Sequence, residues 1–443
     1  MKKIKQFFKK NFAFSRSDDS NPFDNNFKIY RNWFLLSVCI VCSLPIVFTK
    51  LSIISLNVEK DGEIGDTLGG TMGPFIAIIG AALTFLAFWI QYKANEQQRS
   101  DIRNERFETR FLEMVSIHKS NVEELKFSYR VKNTEKGKDK FELQTDERRK
   151  VFKAIYSQYK ELYKELDWLF SVEPDKIYNK SYQSLLEANT EIANRNIKLV
   201  NLARIDFSYL IVFFGLGMED KITIKTLLTN YYQKDFIDRV LSFSAMKPLK
   251  FTSEWASWNK IIELENFYEI NWFKHILSER IKEEKIDFPN YWEMQDRINA
   301  QDYRYADDYV KYYGGHQHRL GHYFRHYFQV IQFIDRANGL DYQEKYSYAK
   351  LLRAQLSNYE QVIFCLNSLS QIGRAWELED KKKENLPYVI NRRYITKYNL
   401  IKNIPSQKTI PGVDLGIYYP NVDYEAFNIP LSKSRIELEK EYT

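Results

Sequence analysis

The sequence predicts a mainly α protein: a two-helix transmembrane hairpin, a large α-helical cytoplasmic domain, and an irregular C-terminal tail. Three observations predict it. Two long uncharged runs lie ahead of residue 93. Glycine (16) and proline (11) are scarce among 443 residues, which disfavours a turn-rich β fold. Beyond the runs, apolar residues recur at three and four, the helical period. An apolar fraction of 44% excludes collagen-like, low-complexity and wholly disordered chains. Three cysteines, two of them inside an apolar run, exclude a disulfide framework. A dispersed net charge of +7 does not by itself mark a nucleic-acid binder.

The leader 1–31 is basic. Its opening MKKIKQFFKKNFAF reads equally as an interfacial helix on anionic lipid or as a disordered segment that fixes topology. The hairpin occupies 32–92. Residues 32–49 form an uncharged run of 18 and 67–92 one of 26, against the roughly 20 apolar residues a bilayer core needs. Trp33, Trp89 and Tyr92 sit at the ends of these runs, where amphipathic rings prefer the interface. The long polar leader and the lack of a small-residue cleavage site read against a secretory signal. Residues 1–31 carry eight Lys and Arg, the 50–66 loop two against four acids, and 93–110 five. Basic flanks stay inside, so both termini are expected in the cytoplasm of a bacterial inner membrane. Gly69, Gly70, Gly73, Gly80, Ala81 and Ala82 supply the small residues that let membrane helices approach.

An amphipathic connecting helix is expected over 93–130, with Phe107, Phe111, Met114, Val115, Val122 and Leu125 on its apolar stripe. His118 falls inside the stripe and reads as a satisfied core histidine. The helical domain is expected to span 131–384. Within it, 132–150 reads as a charged loop, 146–170 as a helix, and 178–245 as two or three more. The run Phe207–Leu216 is too short to span a membrane and reads as buried core. Residues 250–300 look helical again. No segment alternates enough to demand a sheet. From 385 to 443, Pro387, Pro405, Pro411, Pro420 and Pro430 punctuate a tail expected to wrap the body.

No phosphate-binding loop, H-E-x-x-H or G-x-S-x-G motif is present, and Cys39-x-x-Cys42 lies inside an apolar run. One constellation stands out: four of the six histidines fall at 316–326. On a helix over 317–336, Leu320, Phe324, Tyr327, Ile331 and Ile334 make an apolar stripe. His318, His322, Arg325 and Gln329 gather opposite, with Arg319 and His326 adjoining. Gly314 and Gly315 ahead of it permit close backbone approach. In 348–373, Arg353, Ser357 and Glu360 share a second polar face at i, i+4 and i+7, so two polar faces are expected to pair across a cleft.

Three readings of the His/Arg face stand side by side. His322 and His326, at i, i+4, can share a metal ion, but His318 is about two turns from His326 and no nearby carboxylate completes a site. No metal ion or cofactor is therefore expected. Arg319 and His326 satisfy the loose R-x(4–6)-H spacing of HEPN-type ribonucleases. There Arg319 would hold phosphate and His326 would move protons, with His322 and Arg325 also on the phosphate. The third reading is a polar network between helices that docks a partner or an anion. His318, Gln329, Arg353, Ser357 and Glu360 would then form a ligand or partner face.

Through RFLEMVSIHKSNVEEL (110–125), RLGHYFRHYFQVIQFID (319–335), YAKLLRAQLSNYEQVIFCLNSLSQIG (348–373) and YITKYNLIKNIP (394–405), the chain resembles a bacterial family of membrane-anchored phage abortive-infection proteins, the AbiC-like group. Gly321, Tyr323, Phe324 and Arg325 are the most specific part of the resemblance. It implies antiviral defence, in which an infected cell arrests or dies before phage matures; it implies no reaction. The expected mode is a cytoplasmic domain that senses infection and acts through the hairpin. A membrane-tethered ribonuclease and a non-defence membrane accessory protein are the alternatives. Expected partners are the lipid bilayer, a phage-derived trigger and a second copy of the chain, with RNA only under the nuclease reading.

Overall fold

The structure, a computed structural model, describes residues 61–135, 138–283, 310–378, 392–431 and 433–442, and six positions between 32 and 43. The leader 1–31 and most of the first expected span, 32–49, lie outside the described residues. The chain divides into two compact units, Met1–Glu108 and Thr109–Thr443. It is mainly helical.

The first unit holds the beginning of α1 (Asp61–Glu123), a continuous helix that contains the second expected span and Pro74. Among the described residues, one helix is long and apolar enough to cross a membrane, over Ile76–Glu123. Ile78, Phe85 and Phe88 expose 65%, 70% and 67% of their surface to no protein partner. Such a large apolar surface is costly in water and stable in hydrocarbon. The sequence expected a connecting helix reaching 130, but α1 ends at Glu123.

The second unit corrects the expected loop at 132–150. Lys126–Glu135 (β1) and Lys138–Glu147 (β2) form an antiparallel hairpin, in register from Lys126 opposite Glu147 to Glu135 opposite Lys138. Arg148, at φ +56°, turns the chain out of the hairpin. Hence α2 (Lys150–Glu165) starts later than expected and ends in a 3-10 turn, Asp167–Phe170. Its spacing of Val151, Ile155, Tyr159 and Leu162 buries one whole stripe.

Further helices of eight or more residues are α3 (Lys180–Ala188), α4 (Leu199–Phe214), α5 (Met218–Leu228), α6 (Lys234–Ala245), α7 (Ser253–Ile262) and α8 (Asn271–Glu283). Then come α9 (Gln317–Asp335), α10 (Tyr342–Arg353), α11 (Asn358–Leu369) and α12 (Arg435–Tyr442). The centre is α4. It is buried all round from Leu202 to Phe214 except at Arg204: Leu210–Phe214 is apolar throughout, and the buried Asp206 is paired with Arg374. Each such Leu, Ile or Phe contributes on the order of 1.5–3 kcal/mol by leaving water. α2 and α11 pack directly on it.

The segment 348–373 is not one helix. Ser357 accepts from the Glu360 backbone at 3.4 Å while the Glu360 carboxylate accepts from the Ser357 backbone at 2.7 Å. This reciprocal cap starts α11 afresh and satisfies two helix-end donors.

The segment 392–431 has little regular structure yet is deeply engaged. Tyr159 donates to the Pro411 carbonyl at 3.3 Å, Asn201 to the Gly412 carbonyl at 2.8 Å, and Arg195 to the Tyr418 carbonyl at 2.6 Å. Leu400, Ile401, Ile404, Leu415 and Tyr419 are fully buried.

Candidate functional site

The residues around α9 are placed by two glycines. The α4 helix stops at Gly215 (φ +96°), and the chain re-enters beside it through Gly315 (φ +80°). His316 N–H donates to the Phe213 carbonyl at 2.7 Å, and Leu216 N–H to the Tyr313 carbonyl at 2.9 Å. A Cβ on Gly315 would lie 2.1 Å from the Phe214 carbonyl oxygen, whereas one on Gly314 meets nothing within 4 Å. Gly315→Ala is therefore expected to lower stability by at least about 1–3 kcal/mol, from its left-handed backbone alone. Gly314→Ala should be near neutral. Thermal unfolding of both variants checks this; equal midpoints would refute it.

From that anchor α9 buries Leu320, Tyr323, Phe324, Tyr327, Val330, Ile331 and Ile334. Its opposite side opens on a cleft of about 540 Å³. Gln317, His318, Gly321, His322 and Arg325 form one wall; Asn367, Ile372, Gly373, Ala375 and Trp376 face them, with Arg392 at the margin. No carboxylate lines it, so Arg325 and Arg392 set a positive potential suited to an anionic ligand. His322 and Arg325 are exposed, and burial with the neighbouring Arg319 holds His318 below the ordinary imidazole range. The facing wall stands on a buried pair: the Arg374 guanidinium meets the Asp206 carboxylate, which also accepts from Tyr232 and, at 2.5 Å, from the Gln371 N–H.

The predicted site residues thus separate. His318, His322 and Arg325 share the cleft. Arg319 and His326 do not line it. Arg319 Nε donates to the Lys126 carbonyl at 2.6 Å, and its guanidinium stands 5.4 Å from the Phe127 ring. His326 Nε2 bonds the Met114 carbonyl at 2.7 Å. Gln329 is exposed beyond the cleft lining. The expected second polar face does not exist, because Arg353 and Glu360 lie on different helices. Arg353 is buried and donates to the Asn399 carbonyl at 2.8 Å. Glu360 is buried in the α11 cap, where Tyr323 donates to it at 3.2 Å and Arg149 lies 3.4 Å away.

Among the described residues no group of three His, Cys, Asp or Glu side chains is placed to hold a metal. His316 is buried, bonded to Gln158 at 2.8 Å, and pushed down to about 3 by burial and by Arg319. His118 is also buried, but it is not satisfied: neither ring nitrogen has a hydrogen-bond partner among the described residues. Its ring stacks 6.2 Å from that of His326, and burial holds it down at about 4.

The sequence reading missed Arg392, Asn367 and Trp376, which lie 42 or more residues beyond Arg325 and carry no local signal. It also missed the cap, although Ser-x-x-Glu is its standard signature.

Fold and cleft together define a helical protein with a membrane-length apolar helix and a cationic, ligand-sized cleft. Residues 315–409 match the family model described as "Putative phage abortive infection protein", which is the family the sequence resembles. Every residue lining the cleft except Phe213 falls inside that match. The match supports a role in phage abortive infection. No curated protein and no solved structure matches the chain.

Proposed function

We propose that this protein defends a bacterium against phage from the inner membrane, sensing infection through the α9 cleft and acting through an N-terminal two-pass hairpin with both ends in the cytoplasm. The observation that carries the reading is the coincidence just described: the family-matched segment builds the cationic cleft. His318, His322 and Arg325 are the ligand-facing residues, and the trigger they suit is anionic. The exposed apolar surface of α1 supports the membrane half. α1 is continuous from Asp61 to Glu123, so it is the covalent route from the sensing unit to the bilayer.

Plaque formation on cells expressing variants tests the reading. Wild type is expected to protect against part of a phage panel, and His322→Ala/Arg325→Ala to lose protection while still reaching the membrane. Each lost charge-assisted contact costs about 1.5–3 kcal/mol, roughly tenfold or more in ligand affinity. Protection retained by a chain lacking residues 1–92 would sink the membrane half. Loss on His326→Ala alone would favour the ribonuclease, and failure of wild type against the whole panel would sink the defence reading.

A further inference from the structure

A second cavity, of about 710 Å³, lies under the β-hairpin; it shares His318 with the α9 cleft, but the inference drawn from it uses other residues. Small-molecule sites run from about 300 to 1,000 Å³. β1 forms one wall, the first turns of α2 the floor, and residues 249–250 with 310–312 the opposite wall.

Its charge is one-sided. Arg130, Lys150, Lys153, Lys250, Lys311 and Arg319 line it against Asp146 as the single carboxylate. Lys250 is paired with Glu161 at 3.2 Å, and Arg319 is spent on the Lys126 carbonyl. Arg130, Lys150 and Lys153 are exposed, with no carboxylate partner among the described residues. Arg130 lies on the other face of β1 from Phe127 and Tyr129, but Lys150 and Lys153, one turn apart on α2, repel each other, and an anion with several charges would relieve both.

The walls also carry rings. Phe127 and Tyr129 share one side of β1 by strand alternation and stack with centroids 5.6 Å apart. Across the cavity Tyr312 is held from behind: its hydroxyl donates to Glu161 at 2.8 Å, and the buried Lys247 ammonium ties Glu161 and Glu165 at 2.7 and 2.6 Å. Main-chain bonds from Leu249 to Val310 (2.8 Å) and from Tyr312 to Lys247 (2.9 Å) fix that wall. Unpaired cations beside preset aromatic faces match a ligand that joins phosphates to a flat base.

We propose that this cavity binds a nucleoside polyphosphate, with the phosphates on Lys150 and Lys153 and the base against the Phe127–Tyr129 stack. The test is titration of the detergent-solubilised full chain with a fluorescent N-methylanthraniloyl derivative of ATP. The expected result is saturable binding that weakens with added salt. Lys150→Glu/Lys153→Glu, two exposed positions, should weaken it by at least about tenfold. Tyr129→Ala should weaken it severalfold with helical content unchanged, and tripolyphosphate should compete less well than ATP. Absence of saturable binding, or indifference to the double lysine change, would overturn the proposal. So would competition by tripolyphosphate equal to that of ATP, or by single-stranded RNA better than ATP.

Discussion

Asp206→Leu is expected to destabilise the second unit, Thr109–Thr443, by about 3–5 kcal/mol, the cost of leaving a buried guanidinium without its counter-charge. Asp206 and Arg374 expose 0% and 1% of their side chains, so solvent cannot replace the lost partner. Asp206 also accepts from Tyr232 and from the Gln371 backbone, so the change orphans several donors at once. Replacing both charges by leucine should recover part of the loss, because two apolar side chains need no counter-charge. Denaturant unfolding of both single variants and the double variant measures this. An Asp206→Leu cost below about 0.5 kcal/mol would show that the pair is not held as described. The pair matters beyond stability, since Arg374 follows Ile372 and Gly373 in the wall facing α9.

Acidification is expected to have the second largest effect. His118 and His316 are held at about 4 and about 3, below the ordinary 6.5, chiefly by burial. Between those values and 6.5 the unfolded chain binds protons that the folded chain refuses. Stability is therefore full above about pH 6.5 and falls as pH drops, by about 1.4 kcal/mol per pH unit for each ring at the steepest. Thermal midpoints measured from about pH 7 to about pH 5 should decline steadily. His118→Phe should flatten part of the decline and cost little at neutral pH, because a ring of similar shape replaces one with no hydrogen-bond partner. A midpoint unchanged over that interval would contradict the description of both histidines.

Legibility in the sequence followed the range of the interaction. The apolar stripe of α9 was readable because helix burial repeats every three to four residues, and the end of α4 because Leu210–Phe214 is apolar throughout. Gly315 ahead of α9 was readable because a close approach leaves few alternatives to Gly, whereas its neighbour Gly314 has open space around it. The hairpin was harder. Phe127, Tyr129 and Val131 do alternate, but charged residues on both strands and the exposure of Phe141 and Leu143 make a weak two-stranded signal. Ser357 and Glu360 were read as a ligand face when their spacing was that of a cap. The two histidine environments could not be told apart locally, since whether His118 finds a partner depends on what 323–327 brings beside it. Asp206 and Arg374, 168 positions apart, leave no local trace of each other.

The packing of 392–431 has a consequence for biogenesis. This segment is translated after α2 and α4, and Ile401, Ile404, Leu415 and Tyr419 complete a core that already includes Phe111 and Val151. The apolar part of α1 is therefore synthesised long before the second unit can close. Until then α2, Arg195 and α4 wait without their Pro411, Tyr418 and Gly412 carbonyl partners, a state chaperones and proteases can recognise. Any arrest of synthesis before residue 400 would leave a chain whose second unit never closes.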